Sequence, residues 1–252
     1  MAARAGAGRF TLTDPDLLAV PNLGRHVLTR ADLDRPKVEG LKRMILDLNP
    51  HAEVEAVAAK FDDLAERPDL IIAGTDSFEC EAKVNDYALR NGVPAVYCGC
   101  WGAGAVGEIL YVIPGKTPCY QCYAGFRRGT VEVPEIVPDE RKYTDPEFDS
   151  TRTAGQPGLF ANILAIAGIA FQVVLGLLDE ASDCRRLINH EHTLLLFNLA
   201  KYDGPLQPLA VTFGRVEKGC AVCDASKLGE LGKDLRAEIE AIRSGAIHLE
   251  PS

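Results

Sequence analysis

Apolar positions along this chain switch between two periods, and the switching has a rhythm. In residues 8–14, "GRFTLTD", polar and apolar types alternate and β-branched residues are frequent, which predicts a strand ending in an acid. From Pro36 onwards the period changes. Val38, Leu41, Ile45 and Leu48 fall at i, i+3, i+7 and i+10, a helical stripe with Pro36 in its first turn. "DLIIAG" at 69–74 is a short unbroken apolar run, the mark of a parallel strand covered on both faces. "FECEAKVNDYALRNG" at 78–92 predicts a helix stopped by Asn91 and Gly92, and "VPAVYCGC" at 93–100 predicts another strand. Strand, helix, strand, helix, strand points to an α/β domain with a largely parallel sheet.

The next glycines do not continue this rhythm. Gly102, Gly104 and Gly107 in "WGAGAVGEILYVIPG" (101–115) have the spacing G-x-G-x-x-G of a dinucleotide-binding turn. Such a turn must lead from a strand into a helix whose N-terminus faces the phosphates. Gly107 leads instead into "EILYVIPG", in which Ile109, Tyr111 and Ile113 alternate with Leu110 and Val112 before Pro114-Gly115 closes the run. That pattern predicts a second strand. No helix N-terminus is left for a phosphate, and a nicotinamide-dependent dehydrogenase is excluded on this ground and for want of a catalytic constellation.

Leu159 to Leu178 carries no charge, and its length is within reach of a transmembrane helix. It also holds Asn162, Gly168, Gln172 and Gly176 and has no basic flank on one side, so a buried central helix or a subunit interface fits it as well. The expectation is a soluble protein without a membrane partner. With 252 residues, 47% hydrophobic and 25% charged, the chain can bury one sizeable core. A net charge of −9 argues against a nucleic-acid partner, which selects basic faces. No basic n-region with an apolar h-region behind it opens the sequence, and a cytoplasmic protein is expected.

Cysteine spacing carries the clearest chemistry. Of eight cysteines, four form two C-x-x-C pairs, "CYQC" (Cys119, Cys122) and "CAVC" (Cys220, Cys223). Each pair puts two thiolates on one tight turn, as a tetrahedral ion with metal–sulfur bonds of ~2.3 Å requires. One such pair alone suits a redox dithiol. Two without a secretory signal favour a structural zinc site with four cysteine ligands over disulfides or chance thiols. Cys80, Cys98, Cys100 and Cys184 are expected to be buried small residues. His190 and His192 in "NHEHT" could ligate a metal, but four cysteines complete a site, and a surface loop is expected there.

A second, polar group gathers near the N-terminus. Asp14, Asp16, Asn22, Arg25 and His26 come after the first strand, Lys37 opens the next helix, and Asp76 lies just past the "DLIIAG" strand. In an open parallel sheet these strand ends share the edge where ligands bind. Arginine and lysine suit the phosphates of a nucleoside triphosphate, and aspartate suits Mg2+ or ribose hydroxyls. Ordinary surface charges and turn residues account for the same spacing.

"ARAGAGRFTLTDPDLLAVPNLGRHVLTRADLDRPK", "NP" at 49–50, "DLIIAGTDSF", "CYQC" and "CAVC", in that order, resemble the ThiF/MoeB/HesA family of E1-like enzymes over about residues 3–224. The resemblance implies a Rossmann-like, mostly parallel sheet with helices on both faces, extended by antiparallel strands and a four-cysteine zinc site. It implies ATP, Mg2+ and structural Zn2+ as cofactors. Asp14 would bind the ribose, Asn22, Arg25 and Lys37 the triphosphate, and Asp76 the Mg2+, with Arg25, Lys37 and Asp76 as the catalytic set. The implied reaction joins the C-terminal carboxylate of a small β-grasp ubiquitin-like or sulfur-carrier protein to the α-phosphate, releasing pyrophosphate. Such a step rests on orientation and charge neutralisation, which these residue types supply. A homodimer is also implied.

Two departures qualify the likeness. The family's G-x-G-G-x-G phosphate loop should lie upstream of "ARAGAGR", one strand and most of a helix before Met1, and a truncated start is the favoured expectation. The crossover segment at about 130–157 contains no cysteine, nor does any position between Cys122 and Cys184, so adenylation without a thioester at that segment is expected. Residues 1–224 are expected to form the adenylation domain. In 225–252, Leu228, Leu231, Leu235, Ile239 and Ile242 have helical spacing and predict a peripheral amphipathic helix. The rival reading is a non-catalytic E1-like subunit that recognises the modifier or a partner E1.

Overall fold

The computed structural model describes residues 1–62, 64–101, 106–123, 160–190, 193–198, 209–211, 220, 222 and 223. Strand β1 (Arg9–Thr13) runs into a long loop, then helix α1 (Lys37–Leu48) and strand β2 (Glu53–Val57). β1 and β2 pair in parallel from Arg9 opposite Glu53 to Thr13 opposite Val57, with α1 as the crossover that a parallel pair requires. The unit repeats in β3 (Ile71–Ala73), α2 (Phe78–Asn91) and β4 (Ala95–Trp101), where β3 and β4 are again parallel. Ser77 starts α2 by accepting the Cys80 N–H on its hydroxyl oxygen, 3.3 Å away.

From β4 onward the chain turns back on itself. β5 (Val106–Val112) pairs antiparallel with β4, from Trp101 opposite Val106 to Ala95 opposite Val112. Strands therefore stand on both sides of the glycine motif, as its flanking residues predict; Gly102 and Gly104 themselves lie outside the described residues. Helix α3 (Phe160–Leu178) precedes β6 (Leu194–Asn198) and β7 (Leu209–Val211), which extend the sheet antiparallel.

The expected mostly parallel sheet is corrected in one respect. Among the described residues there are two sheets, β1-β2 and β3-β4-β5-β6-β7, and of five strand pairings only β1-β2 and β3-β4 are parallel. For β4 and β5 the reason is connection length. A parallel neighbour needs a helix-sized crossover, whereas the short stretch after β4 can only return the chain antiparallel. The sequence pattern also assigns no strand to β2, whose Glu53 and Glu55 are exposed while Val54, Ala56 and Val57 are half-buried.

The five-stranded sheet is covered on both faces, as the family likeness implies. Tyr97, Leu110 and Val112 pack with Val84, Tyr87 and Ala88 of α2 in one core. Val96, Ile109 and Tyr111, the alternate residues of the same strands, pack with Ile166, Ala170, Val173 and Val174 of α3 in another. Helix α3 is long and apolar enough to cross a membrane by length and composition, yet this stripe is occupied by the sheet. At its end, a Cβ on Gly176 would come within 2.5 Å of the Cys184 carbonyl oxygen, so glycine lets the following 3-10 turn, Asp183–Leu187, pack flat against the helix.

Candidate functional site

The polar cluster is built by a loop that folds back onto α1. Leu18, fully buried, anchors its middle, with its N–H donated to the Arg35 carbonyl and its own carbonyl accepting from Asp34. Further along, Leu28 is buried against α1 and lies so close to Gly40 that a Cβ there would meet its methyls at 2.9 Å. Buried Asp32 caps the turn from Thr29 and pairs with Arg43 of α1 at 2.5 Å. The Thr29 N–H and, after it, Arg43 hold the Asp32 carboxyl below the usual carboxylate range. These contacts fix the loop's polar residues at the C-terminal end of β1, beside the first turn of α1.

There Lys37 is caught between two acids. Its ammonium lies 2.7 Å from Asp16 and 3.5 Å from Asp14, and its backbone N–H donates to the Asp16 carbonyl. Asp14 is itself oriented, because its Oδ1 accepts the Asp16 N–H at 2.8 Å, a local turn that aspartate favours. Asn22 accepts the Ala19 N–H on its Oδ1 at 2.9 Å, and its carbonyl accepts from Arg25 and His26. His26 accepts the Leu28 N–H on Nδ1 at 3.1 Å. Burial is the largest influence on His26 and lowers its pKa below the ordinary imidazole value; Lys37 and Arg25 act the same way, against Asp14 and Asp32. So Asp14, Asp16, Arg25, His26 and Lys37 share one patch. Asp76 stands apart: it is exposed, it comes after β3 in the other sheet, and among the described residues it makes no hydrogen bond or ion pair with that patch.

The four cysteines of the two C-x-x-C pairs come together. Cys119 and Cys122 sit on a helical turn after β5, where the Cys119 carbonyl accepts from the Cys122 N–H. All four sulfurs lie within 4.8 Å of one another. Cys119–Cys122 and Cys119–Cys220 are 3.9 Å apart, and Cys122–Cys223 is 3.5 Å. Metal–sulfur bonds of ~2.3 Å put the edge of a tetrahedron at ~3.8 Å, which these separations bracket. Hydrogen bonds with Cys122 and Cys223 hold the Cys119 thiol below the ordinary range, and those with Cys119 and Cys122 push Cys223 above it. The donor set fits a tetrahedral thiophilic ion.

Sequence spacing missed the scaffold behind this cluster. Asn85 of α2 accepts the Tyr120 N–H at 3.0 Å, Glu81 accepts the Tyr120 hydroxyl at 2.5 Å, and Glu108 of β5 accepts the Tyr123 hydroxyl. Glu81, Asn85 and Glu108 are all buried, and Tyr97 stacks on Tyr120 with ring centroids 5.0 Å apart. The signal lay in α2, where Glu81 and Asn85 stand one turn apart on the same stripe as Val84 and Ala88. Cys80, Cys98, Cys100 and Cys184 are half-buried, less enclosed than expected. Burial pushes Cys98 up to about 11 and raises Cys80 and Cys100, so these three remain thiols at neutral pH. His190 is exposed beyond the 3-10 turn, and His192 lies outside the described residues.

Comparison with known proteins gives this arrangement a context. The family model described as "ThiF family" matches residues 1–217. A sulfur carrier protein ThiS adenylyltransferase of Bacillus subtilis is 31% identical over 130 residues, covering 48% of this chain and 38% of its own length. Its Escherichia coli counterpart is 24% identical over 233 residues, covering 89% of this chain and 79% of its own. Among solved structures, E. coli MccB superposes with a TM-score of 0.63 at 21% identity, over 88% of this chain and 60% of that one. MccB solved with ATP gives 0.61 at 22% identity over the same shares. Likeness at that identity shows the fold alone, and the chain spans 38% of the B. subtilis relative and 60% of MccB, in both cases less than two thirds.

Proposed function

The chain belongs to the ThiF family, and from that premise we propose that it is an ATP-dependent adenylyltransferase acting on the C-terminal carboxylate of a small β-grasp ubiquitin-like or sulfur-carrier protein. The observation that carries the proposal is Lys37, held at the first residue of α1 between Asp14 and Asp16 with Asn22 and Arg25 in the intervening loop. The B. subtilis and E. coli relatives are sulfur-carrier adenylyltransferases, and MccB, of the same fold, is solved with ATP.

In this reading Asp14 binds the ribose, while Asn22, Arg25 and Lys37 hold the triphosphate. Arg25 and Lys37 neutralise charge as a carboxylate oxygen bonds to the α-phosphorus and the bond to pyrophosphate breaks. Asp76, which the family likeness assigns to Mg2+, lies apart from this patch; an ion held there would supply further charge neutralisation on the phosphates. Cys119, Cys122, Cys220 and Cys223 hold a structural Zn2+ that ties the late part of the domain to α2. The crossover segment at about 130–157 has no cysteine for a thioester, so the acyl-adenylate is the species handed on. Residues 1–224 form the adenylation domain, and the enzyme works as a cytoplasmic homodimer; the helix expected over 225–252 lies outside the described residues.

One observation favours the rival reading, a non-catalytic binding subunit. Lys37 is already neutralised by two acids, as a cation with no anion to bind would be. ATP–pyrophosphate exchange with Mg2+ and candidate β-grasp partners separates the two. Exchange abolished by Arg25→Ala and by Asp76→Ala supports the enzyme. A folded, zinc-loaded chain that shows no exchange with any partner supports the binding subunit.

A further inference from the structure

We propose that His26 is a nucleotide-contacting residue whose Nε2–H donates to an oxygen of the bound triphosphate, beside Arg25 and Lys37. The inference rests on the nucleotide reading above and adds a donor to it.

The tautomer is set by the loop. Nδ1 of His26 is occupied as an acceptor by the Leu28 N–H at 3.1 Å. In a neutral imidazole the proton must then sit on Nε2, which becomes a fixed donor. Among the described residues Nε2 has no acceptor. The ring is half-buried, and the charged groups that act on it are Lys37 at the start of α1, Asp14 after β1, Arg25 on its own turn and Asp32 on the next. Two of these are the cations assigned to phosphate. A donor fixed next to two cations, with its other nitrogen tied to the backbone, suits an anionic oxygen better than it suits water. The bond that fixes the ring also sets the loop, since Leu28 lies two residues on and seals against Gly40.

Two substitutions separate contact with the ligand from support of the turn. His26→Asn keeps an acceptor at the Nδ1 position for the Leu28 N–H, as asparagine does in local turns, but has nothing at Nε2. His26→Gln carries an amide N–H out to the Nε2 position and gives up the short-range acceptor. Binding of ATP with Mg2+ is measured by titration calorimetry for the wild type, both variants and Arg25→Ala, with thermal unfolding of each free chain. A lost hydrogen bond to a charged group corresponds to about ten- to a hundredfold in affinity. The expected result is that loss for His26→Asn with an unchanged melting point, and partial rescue to within a few-fold of wild type for His26→Gln. The reverse order, with His26→Asn binding as wild type and His26→Gln destabilised, overturns the inference and leaves His26 a turn residue. If Arg25→Ala also binds ATP as wild type does, or the wild type binds none, the nucleotide reading itself fails and takes the inference with it.

Discussion

Replacing Cys220 by serine tests the zinc assignment most directly, because Cys220 is remote in sequence from its neighbours. It stands 101 positions from Cys119, and yet their sulfurs are 3.9 Å apart. A cross-link that closes a loop of ~100 residues removes about 4.7 kcal/mol of chain entropy from the unfolded state, and a metal clip closes the same loop as a disulfide would. Serine leaves three thiolates, with Cys223 alone to hold the second half of the clip, so a loss of up to about 4–5 kcal/mol is expected as the ion is released. For a chain of this size that corresponds to a fall of about 10–20 °C in the melting temperature. Cys184→Ser, which removes a half-buried thiol outside the cluster, is the control and should cost less than about 1 kcal/mol. The assay is zinc content by mass spectrometry together with thermal unfolding, each with and without a strong chelator. The wild type and Cys184→Ser should carry zinc and lose stability to the chelator; Cys220→Ser should carry little and respond little. A wild type that carries no zinc, or that melts at the same temperature with the chelator present, refutes the reasoning.

Lys37→Met should weaken ATP binding about ten- to a hundredfold by calorimetry, while costing free-chain stability only about 1 kcal/mol, since its nearer partner Asp16 is 65% exposed. His26 has a pKa lowered from 6.5, so between its folded and ordinary values the unfolded chain binds more protons. Its contribution to stability is present in full above that ordinary value and is lost as pH falls through the folded one; the melting temperature should drop on acidification, and less so in His26→Gln. Gly176→Ala should destabilise by about 1–3 kcal/mol in urea unfolding, because its Cβ would meet backbone at 2.5 Å. Gly168→Ala on the same helix meets nothing within 4 Å and should be neutral or stabilising by up to about 1 kcal/mol. Asn85→Ala strands the buried Tyr120 N–H and should cost about 1–3 kcal/mol by the same measurement.

Those elements that combine a clean period with a chemical stop were legible in the sequence. Helix α2 begins at the residue after Ser77 and ends before Gly92, and α1 carries its apolar stripe from Val38 to Leu48. β5 was legible through the alternation that unmasks the glycine motif. What escaped was pairing. Periodicity states which residues share a face of a strand but not which strand lies next to it, so the division into two sheets and the majority of antiparallel neighbours had no local signature. β2 escaped because its apolar positions are small or half-buried, Val54, Ala56 and Val57, and its glutamates suit a loop equally well.

The two candidate sites differed in legibility for a physical reason. A tetrahedral ion forces two ligands onto each of two tight turns, so its spacing is written into the chain twice over. A triphosphate site draws one residue at a time from separate strand ends, and each is of a type that turns also favour. That is why Asp14, Asn22 and Asp76 remained compatible with ordinary loops. The structure narrows the ambiguity by giving the two acids around Lys37 unequal standing. Asp14 is 34% exposed and oriented by the Asp16 N–H, whereas Asp16 is 65% exposed at its side chain. An incoming polyanion can take the place of the Asp16 carboxylate at little cost, because an exposed ion pair contributes little and the freed carboxylate returns to water. Asp14 has less access to that exchange and stays in position. On the proposed nucleotide reading, the cluster is one that a triphosphate would open from a single side, by displacing Asp16 from Lys37.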